Sequence, residues 1–289
     1  MDYVLHLAAL ISLYGILALS LDLMLGLGGM MNLATAAYIG FGSYTYALAT
    51  TRFMAPPLVA AAISIIATSA IACALSILLT KCSRETFVLA TISIQMIFYS
   101  AVYNLEATNG SNGISGIPPL AIGSITTMSP VSFTSLCAFC LCLMFGLRHK
   151  LASSPFSLGL RALRDDDVAA ANLLIRSNRV QPAVTALAAG AGSMVGILIA
   201  ASSGYIDPTS FVLSESLFVL SCVALGGFES GAGAVVGTLI LVILPDCLSL
   251  LSVDSNAIFH VRQCLSGILL LSVLRFRPAG LLGSTRGLE

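Results

Sequence analysis

The chain has 289 residues, of which 57% are hydrophobic and 9% charged, with 13 basic and 13 acidic side chains cancelling to zero net charge. A soluble domain carries roughly 25% charged residues, so a mean hydropathy of +0.99 excludes a water-solvated globule, and neutrality gives no sign of a nucleic-acid partner. Lipid is the solvent this composition fits.

A helix needs about 20 apolar residues to cross the hydrocarbon core. The N-terminus is apolar from Tyr3 onward and lacks the basic region and small-residue cleavage site of a signal peptide, so it reads as a retained first helix at 3–25. Further runs follow at 31–50, 57–80, 87–104, 129–147, 181–203, 211–226, 233–253 and 258–275. The predicted fold is all-α: one polytopic transmembrane helical bundle over 1–289, with about nine spans (eight to ten). The second run opens in Gly26, Gly28 and Gly29, and the seventh is short and closes on Gly226 and Gly227. Either can be a broken or re-entrant segment, tolerated where it is buried in protein or lines a water-filled cavity.

Basic residues are retained on the cytoplasmic side. Lys81 and Arg84 separate spans three and four. Arg148, Lys150, Arg161, Arg164, Arg176 and Arg179 separate spans five and six, and Arg275, Arg277 and Arg286 follow the last span. Nine spans put all these on one side, with Arg52 and Arg262 as exceptions. The N-terminus is then outside and the C-terminus cytoplasmic. The loop 105–128 is external and 148–180 is cytoplasmic.

Within the cytoplasmic loop, Ser and Pro near Pro155 suit a helix start. Leu160, Leu163, Ala170, Ala171 and Leu174 recur at spacings of three and four. Arg161 and Arg164 precede the acidic run Asp165, Asp166 and Asp167. This pattern reads equally as a solvated surface helix or as a docking helix for a cytoplasmic partner. In the external loop, Thr108–Pro119 is rich in Gly, Asn and Ser, as tight turns require. The spacing Cys137-x-x-Cys140 has no second ligand pair nearby and lies in an apolar run, so it reads as helix packing.

Polar groups kept in the bilayer are costly and are candidates for a translocation path. Asp22, Gln95 and Glu215 are the first choices, with Asn32 and Thr35 added. Each has a plainer reading: an interfacial Asp22, an interhelical hydrogen bond for Gln95, and a favourable helix-dipole contact for Glu215. The glycines Gly26, Gly28, Gly29, Gly226 and Gly227 permit close helix approach and are candidates for moving gates. Enzyme chemistry finds no support. The only lysines, Lys81 and Lys150, precede Cys and Leu rather than completing a phosphate-binding loop, and neither a zinc-protease nor a nucleophile-elbow motif occurs.

Five stretches, in order along the chain, resemble one family. They are Gly26–Tyr44, the external Asn109–Pro118, the run Leu160–Ala171, the late segment from Asp207-Pro-Thr-Ser-Phe211 to Leu225-Gly-Gly227, and Phe276–Gly283. The resemblance is to the permeases of branched-chain amino acid ABC transporters and covers most of the chain. It departs at Asn32-Leu-Ala-Thr35, where the family often has Ser-Leu-Gly-His, at Leu174 for Gly and at Asp22 for Asn. The resemblance implies a transport subunit of the bacterial inner membrane that binds no cofactor itself. Its implied partners are a second related permease, two ATP-binding subunits that use the ATP, and a soluble substrate-binding protein. Arg161, Arg164, Asp165, Asp166 and Asp167 would dock on the ATPases. Uptake of urea or short amides is the close alternative, and a self-sufficient secondary transporter the more distant one.

Overall fold

The computed structural model describes residues 2–249 apart from Lys81, Gly123, Ser124, Met128 and Arg176, together with Cys264, Gly267, Ile268, Leu271, Arg275 and Gly280–Leu282. Its helices are α1 (Asp2–Asp22), α2 (Thr35–Thr51), α3 (Pro57–Leu79), α4 (Arg84–Asn104), α5 (Pro130–Ala152), α6 (Pro155–Asp165), α7 (Asp167–Asn172), α8 (Ser177–Ser203), α9 (Leu213–Gly226) and α10 (Gly231–Ser249). Proline opens α3, α5 and α6, where its missing N–H costs nothing and its fixed φ is already helical. Ser83 and Ser129 cap α4 and α5 by accepting from the N–H of Thr86 and Ser132.

Among the described residues, six helical stretches are long and apolar enough to cross a membrane: Tyr3–Leu27, Pro57–Leu79, Arg84–Asn104, Pro130–Ala152, Ser177–Ser203 and Pro208–Gly226. The apolar part of α10, Gly231–Leu244, is shorter. The expected second span at 31–50 is corrected at its start. Met30–Ala34 is not helical, and α2 begins at Thr35. The seventh run, expected at 211–226, is the 14-residue α9, which a short 3-10 turn at Pro208–Ser210 precedes. The ninth span, expected at 258–275, and the end of the eighth lie outside the described residues except for isolated positions.

Helices α1 and α8 form the centre. The first packs on α5 and α10, the second on α2 and α3, while α9 pairs with α10. Lipid tails are as apolar as leucine, so contacts between helices rest on small residues and hydrogen bonds. The α3–α8 contact shows this directly. The buried positions of α3 are Ala60, Ser64, Thr68, Ala72 and Ser76, one at every fourth residue. Ser76 and Thr185 share a hydrogen bond of 3.2 Å across this contact. Its large apolar residues Leu58, Ile63, Ile66 and Leu78 point outward, as do Phe139 and Leu143 of α5. Glycine supplies the close approach of α8 to α2, where a Cβ at Gly196 would fall on the Ile39 carbonyl oxygen. Backbone cannot yield there as a side chain can. A Gly196→Ala chain is expected to lose about 1–3 kcal/mol by overpacking, read as a lowered melting temperature of the detergent-purified chain.

The loops sort to two ends. One end gathers Leu23–Asn32, the α3–α4 turn, α6, α7 and the Gly226–Gly231 turn. Arg84 donates to the Leu163 carbonyl at 3.2 Å and also to that of Arg164. Leu281 and Leu282 donate to the carbonyls of Leu225 and Gly226, which places Gly280–Leu282 at this end too. Of the basic residues named from the sequence, Arg84, Arg148, Arg161 and Arg164 are joined at this end by their contacts. The opposite end holds Arg52–Pro56, the loop after α4 and Gly204–Val212. There two small antiparallel pairings interrupt the all-helical pattern. Ile114–Ser115 (β1) pairs with Tyr205–Ile206 (β4), and Ala121–Ile122 (β2) with Ile125–Thr126 (β3).

Candidate translocation and coupling site

At the first end, a charged cluster joins segments far apart in sequence. After Asp22, α1 continues as a π-helical turn, Leu23–Leu27, of the kind that often marks functional sites. The Asp22 side chain is fully buried and pairs with Arg148 at 2.7 Å; Arg148 comes from the last turns of α5. The second oxygen of Asp22 accepts the backbone N–H of Glu229 at 3.0 Å, and Arg148 donates to the Glu229 carbonyl at 2.6 Å. Glu229 lies in the α9–α10 turn with φ of 64°, an uncommon backbone for a non-glycine residue. Two backbone hydrogen bonds, one from Arg148 and one to Asp22, hold it there.

The Glu229 carboxylate in turn faces α6. Arg164 donates to it and to the Gly26 carbonyl at 2.7 Å, and Arg161 approaches it at 3.7 Å. Burial works against the charge of Arg164, but the hydrogen bond and charge of Glu229, then those of Asp165, outweigh it and hold the guanidinium pKa above its ordinary value. The five glycines named from sequence meet here. A Cβ on Gly26 would strike Asp22 and the Glu229 N–H; Gly28 lies against Leu160, and Gly29, at φ 63°, against Arg164. Gly226 abuts Gly233, and Gly227 abuts Gly280. So the two glycine-rich segments converge on one joint, and α6 is bolted to it.

The docking residues named from sequence thus divide by direction. Arg161 and Arg164 turn inward onto Glu229. Asp165 is 71% exposed in its side chain, and Asp166 is exposed and caps α7 by accepting the Ala169 N–H at 3.1 Å. Asp167 opens α7. Leu174 is exposed with φ of 61°, so the position where the family often has glycine keeps the left-handed backbone that favours it.

The path residues named from sequence also divide. Asp22 belongs to the charged joint. Asn32, Thr35 and Gln95 are buried, and Glu215 is half-buried at the start of α9. Gln95 is eleven residues into α4, roughly 16 Å from its start at 1.5 Å per residue. Its amide donates to the Phe211 carbonyl at 2.8 Å, just before α9, while its buried Oε1 has no hydrogen-bond partner among the described residues. Asn32 is buried; its Oδ1 accepts the Ala34 N–H at 2.8 Å and its amide donates to the Tyr38 hydroxyl at 3.1 Å. The unwound backbone before α2 is satisfied from outside, by Thr91 Oγ1 for Leu33 and by Ser216 Oγ for Ala36. Thr35, also buried, is the first residue of α2. Glu215 stands in the first turn of α9 and accepts a 2.8 Å hydrogen bond from the Tyr14 hydroxyl.

Sequence reading missed Glu229 and the pairing role of Arg148. Arg148 carried a signal, since an arginine inside the last turns of a span needs a partner. Glu229 carried only its position after Gly226-Gly227. The Cys137–Cys140 pair lies in α5, with Cys137 fully buried in the apolar core and no bound partner drawn to it among the described residues.

The family described as "Branched-chain amino acid transport system / permease component" matches residues 3–274. The chain is 26% identical over 303 residues to the high-affinity branched-chain amino acid transport system permease protein LivM of Escherichia coli strain K12, covering 96% of this chain and 70% of that protein. The LivM protein of Salmonella typhimurium strain LT2 is similar to the same extent, 26% over 96% and 70%. No solved structure matches. With helices long and apolar enough to cross a membrane, the chain belongs to the branched-chain amino acid transport system permease family, as a multi-pass, non-enzymatic transport subunit.

Proposed function

We propose that this chain is the permease subunit of an ATP-driven importer that carries branched-chain or other small amino acids across a bacterial cytoplasmic membrane. The end bearing α6 and α7 is cytoplasmic, the start of α1 is outside, and the C-terminus is cytoplasmic. Residues 1–289 act as one permease domain. A second related permease completes the pathway, two ATP-binding subunits bind below, and a soluble binding protein delivers substrate to the outer loops.

The observation that carries this reading is the attachment of α6. Its inner face is tied through Arg161 and Arg164 to Glu229 and Gly26. Its outer side offers Leu158, Asp165 and Asp166, and beyond α7 the exposed Leu173 and Leu174. A partner that grips this outer side and closes on ATP would pull on both glycine-rich joints at once. The switch between inward- and outward-facing states is then a population shift set by how tightly the partners bind each state.

Co-purification tests the reading. The tagged chain in mild detergent should bring down an ATPase subunit and a second permease. Replacing Asp165, Asp166 and Asp167 together with Ala should remove most of the ATPase while the second permease stays. A chain that purifies alone, and transports without ATP when reconstituted, overturns the proposal in favour of a secondary transporter.

A further inference from the structure

A cavity of about 380 Å³ lies beside the start of α9, bounded by α1, α2, α8 and the stretch Thr209–Val212. That volume is at the small end of the roughly 300–1,000 Å³ typical of small-molecule sites. Its walls are aliphatic, from Leu10, Leu13, Leu17, Ile39, Val195 and Ile199. The polar groups at its edge are those of Thr209, Ser210, Tyr14 and Glu215. Glu215 is half-buried in the first turn of α9, three residues after Val212. It accepts a hydrogen bond from the neutral Tyr14 hydroxyl. Among the described residues no basic side chain reaches it; the ion pairs there are those of Asp22, Asp165 and Glu229.

We propose that this cavity is an intramembrane subsite for a zwitterionic aliphatic amino acid, with Glu215 receiving the ammonium group and the Leu10, Leu13, Ile39 and Ile199 wall receiving the side chain. The proposal rests on the importer reading and adds where, and by what chemistry, that permease recognises its cargo. The start of α9 supplies the complementary feature. It has no side-chain cap; the Glu215 N–H is taken by the Val212 carbonyl at 3.1 Å, so the N–H groups of Leu213 and Ser214 and the positive end of the dipole favour the substrate carboxylate. Discontinuous membrane helices commonly place their N-terminal ends against anionic substrate groups in this way. The apolar wall discriminates by size only weakly, since one methylene is worth about 10- to 200-fold. The carboxylate therefore sets the class, amino acid against neutral amide, and the wall sets the preference within it.

The test is ATP-driven uptake of radiolabelled leucine and alanine by the complete transporter in proteoliposomes, with ATP hydrolysis and subunit composition measured on the same preparations. Glu215→Gln keeps the acceptor for Tyr14 and removes only the charge. Leucine uptake is expected to fall at least tenfold with subunit composition unchanged, and Glu215→Asp to recover part of it. Ile199→Phe, which fills the cavity from a half-buried position, should reduce leucine uptake more than alanine uptake. If Glu215→Gln carries leucine at the wild-type rate, the subsite is overturned while the importer reading stands. Equal losses of leucine and alanine in Ile199→Phe likewise overturn the assignment of the wall. If the wild-type preparation carries neither amino acid with ATP, the importer reading itself fails.

Discussion

Replacing Arg148 with methionine will strip the bundle of a large part of its stability. Asp22 is fully buried and Arg148 nearly so, and their ion pair is 2.7 Å long. Removing one partner of a buried pair leaves an uncompensated charge and costs about 3–5 kcal/mol. Here the loss also frees the Glu229 carbonyl, which Arg148 holds at 2.6 Å. The expected result is a strongly lowered melting temperature, or failure to recover a monodisperse chain, followed by size-exclusion chromatography of a fluorescently tagged protein after heating. Pairing Arg148→Met with Asp22→Asn should restore much of the loss, because no buried charge is then left alone and the Asn oxygen still accepts the Glu229 N–H. A single Arg148→Met as stable as wild type would show that the pair holds nothing together.

Glu229→Gln is expected to act on transmission instead. The backbone of residue 229 keeps its bonds to Asp22 and Arg148, so the α9–α10 turn stays in place. What goes is the charge that binds Arg164 and Arg161 of α6. With α6 held more loosely to the joint, ATP hydrolysis by the assembled transporter should continue while substrate uptake falls by about tenfold, equivalent to about 1.4 kcal/mol of lost coupling. The measurement is the ratio of amino acid carried to ATP hydrolysed in proteoliposomes, compared with wild type. An unchanged ratio would mean that motion of α6 reaches the pathway by another route, such as the bond from Arg164 to the Gly26 carbonyl alone.

The two variants separate jobs that one cluster combines. Asp22 and Arg148 tie α1 to α5 out of reach of water, whereas Glu229 and Arg164 are partly exposed, with side chains 21% accessible. A shielded pair suits permanent attachment. A wetter pair, whose charges solvent can partly stabilise when it opens, suits a contact that is remade in each cycle.

Much of the bundle was legible from residue order alone. A membrane span is a property of one contiguous segment, because every backbone N–H and C=O in lipid must be satisfied within it. Thus 57–80, 87–104 and 181–203 foretold α3, α4 and α8 to within a few residues. The same holds for the amphipathic spacing of Leu160 and Leu163, both buried in α6, and for the glycines that announced the break before α2. Charge bias works residue by residue, and it brought Arg84, Arg148, Arg161 and Arg164 to one end, where the structure also finds them.

Only the tertiary structure decided which of these residues meet. Asp22 and Glu229 are 207 positions apart, and Tyr14 and Glu215 are 201 apart. Nothing in local hydropathy encodes such a pairing. It arises because buried polar groups must find partners wherever packing brings them, and packing here is set by small residues on α3, α8, α9 and α10. For the same reason Arg161 and Arg164, which in sequence belong to an exposed charged run, turn inward, and Asp22, named for the pathway, becomes part of the joint. The chain's own order determined its solvent, its spans and their charged ends; the joint and the cavity beside α9 came from contacts between segments, because a charge in a low-dielectric interior is positioned by its partner rather than by its neighbours in sequence.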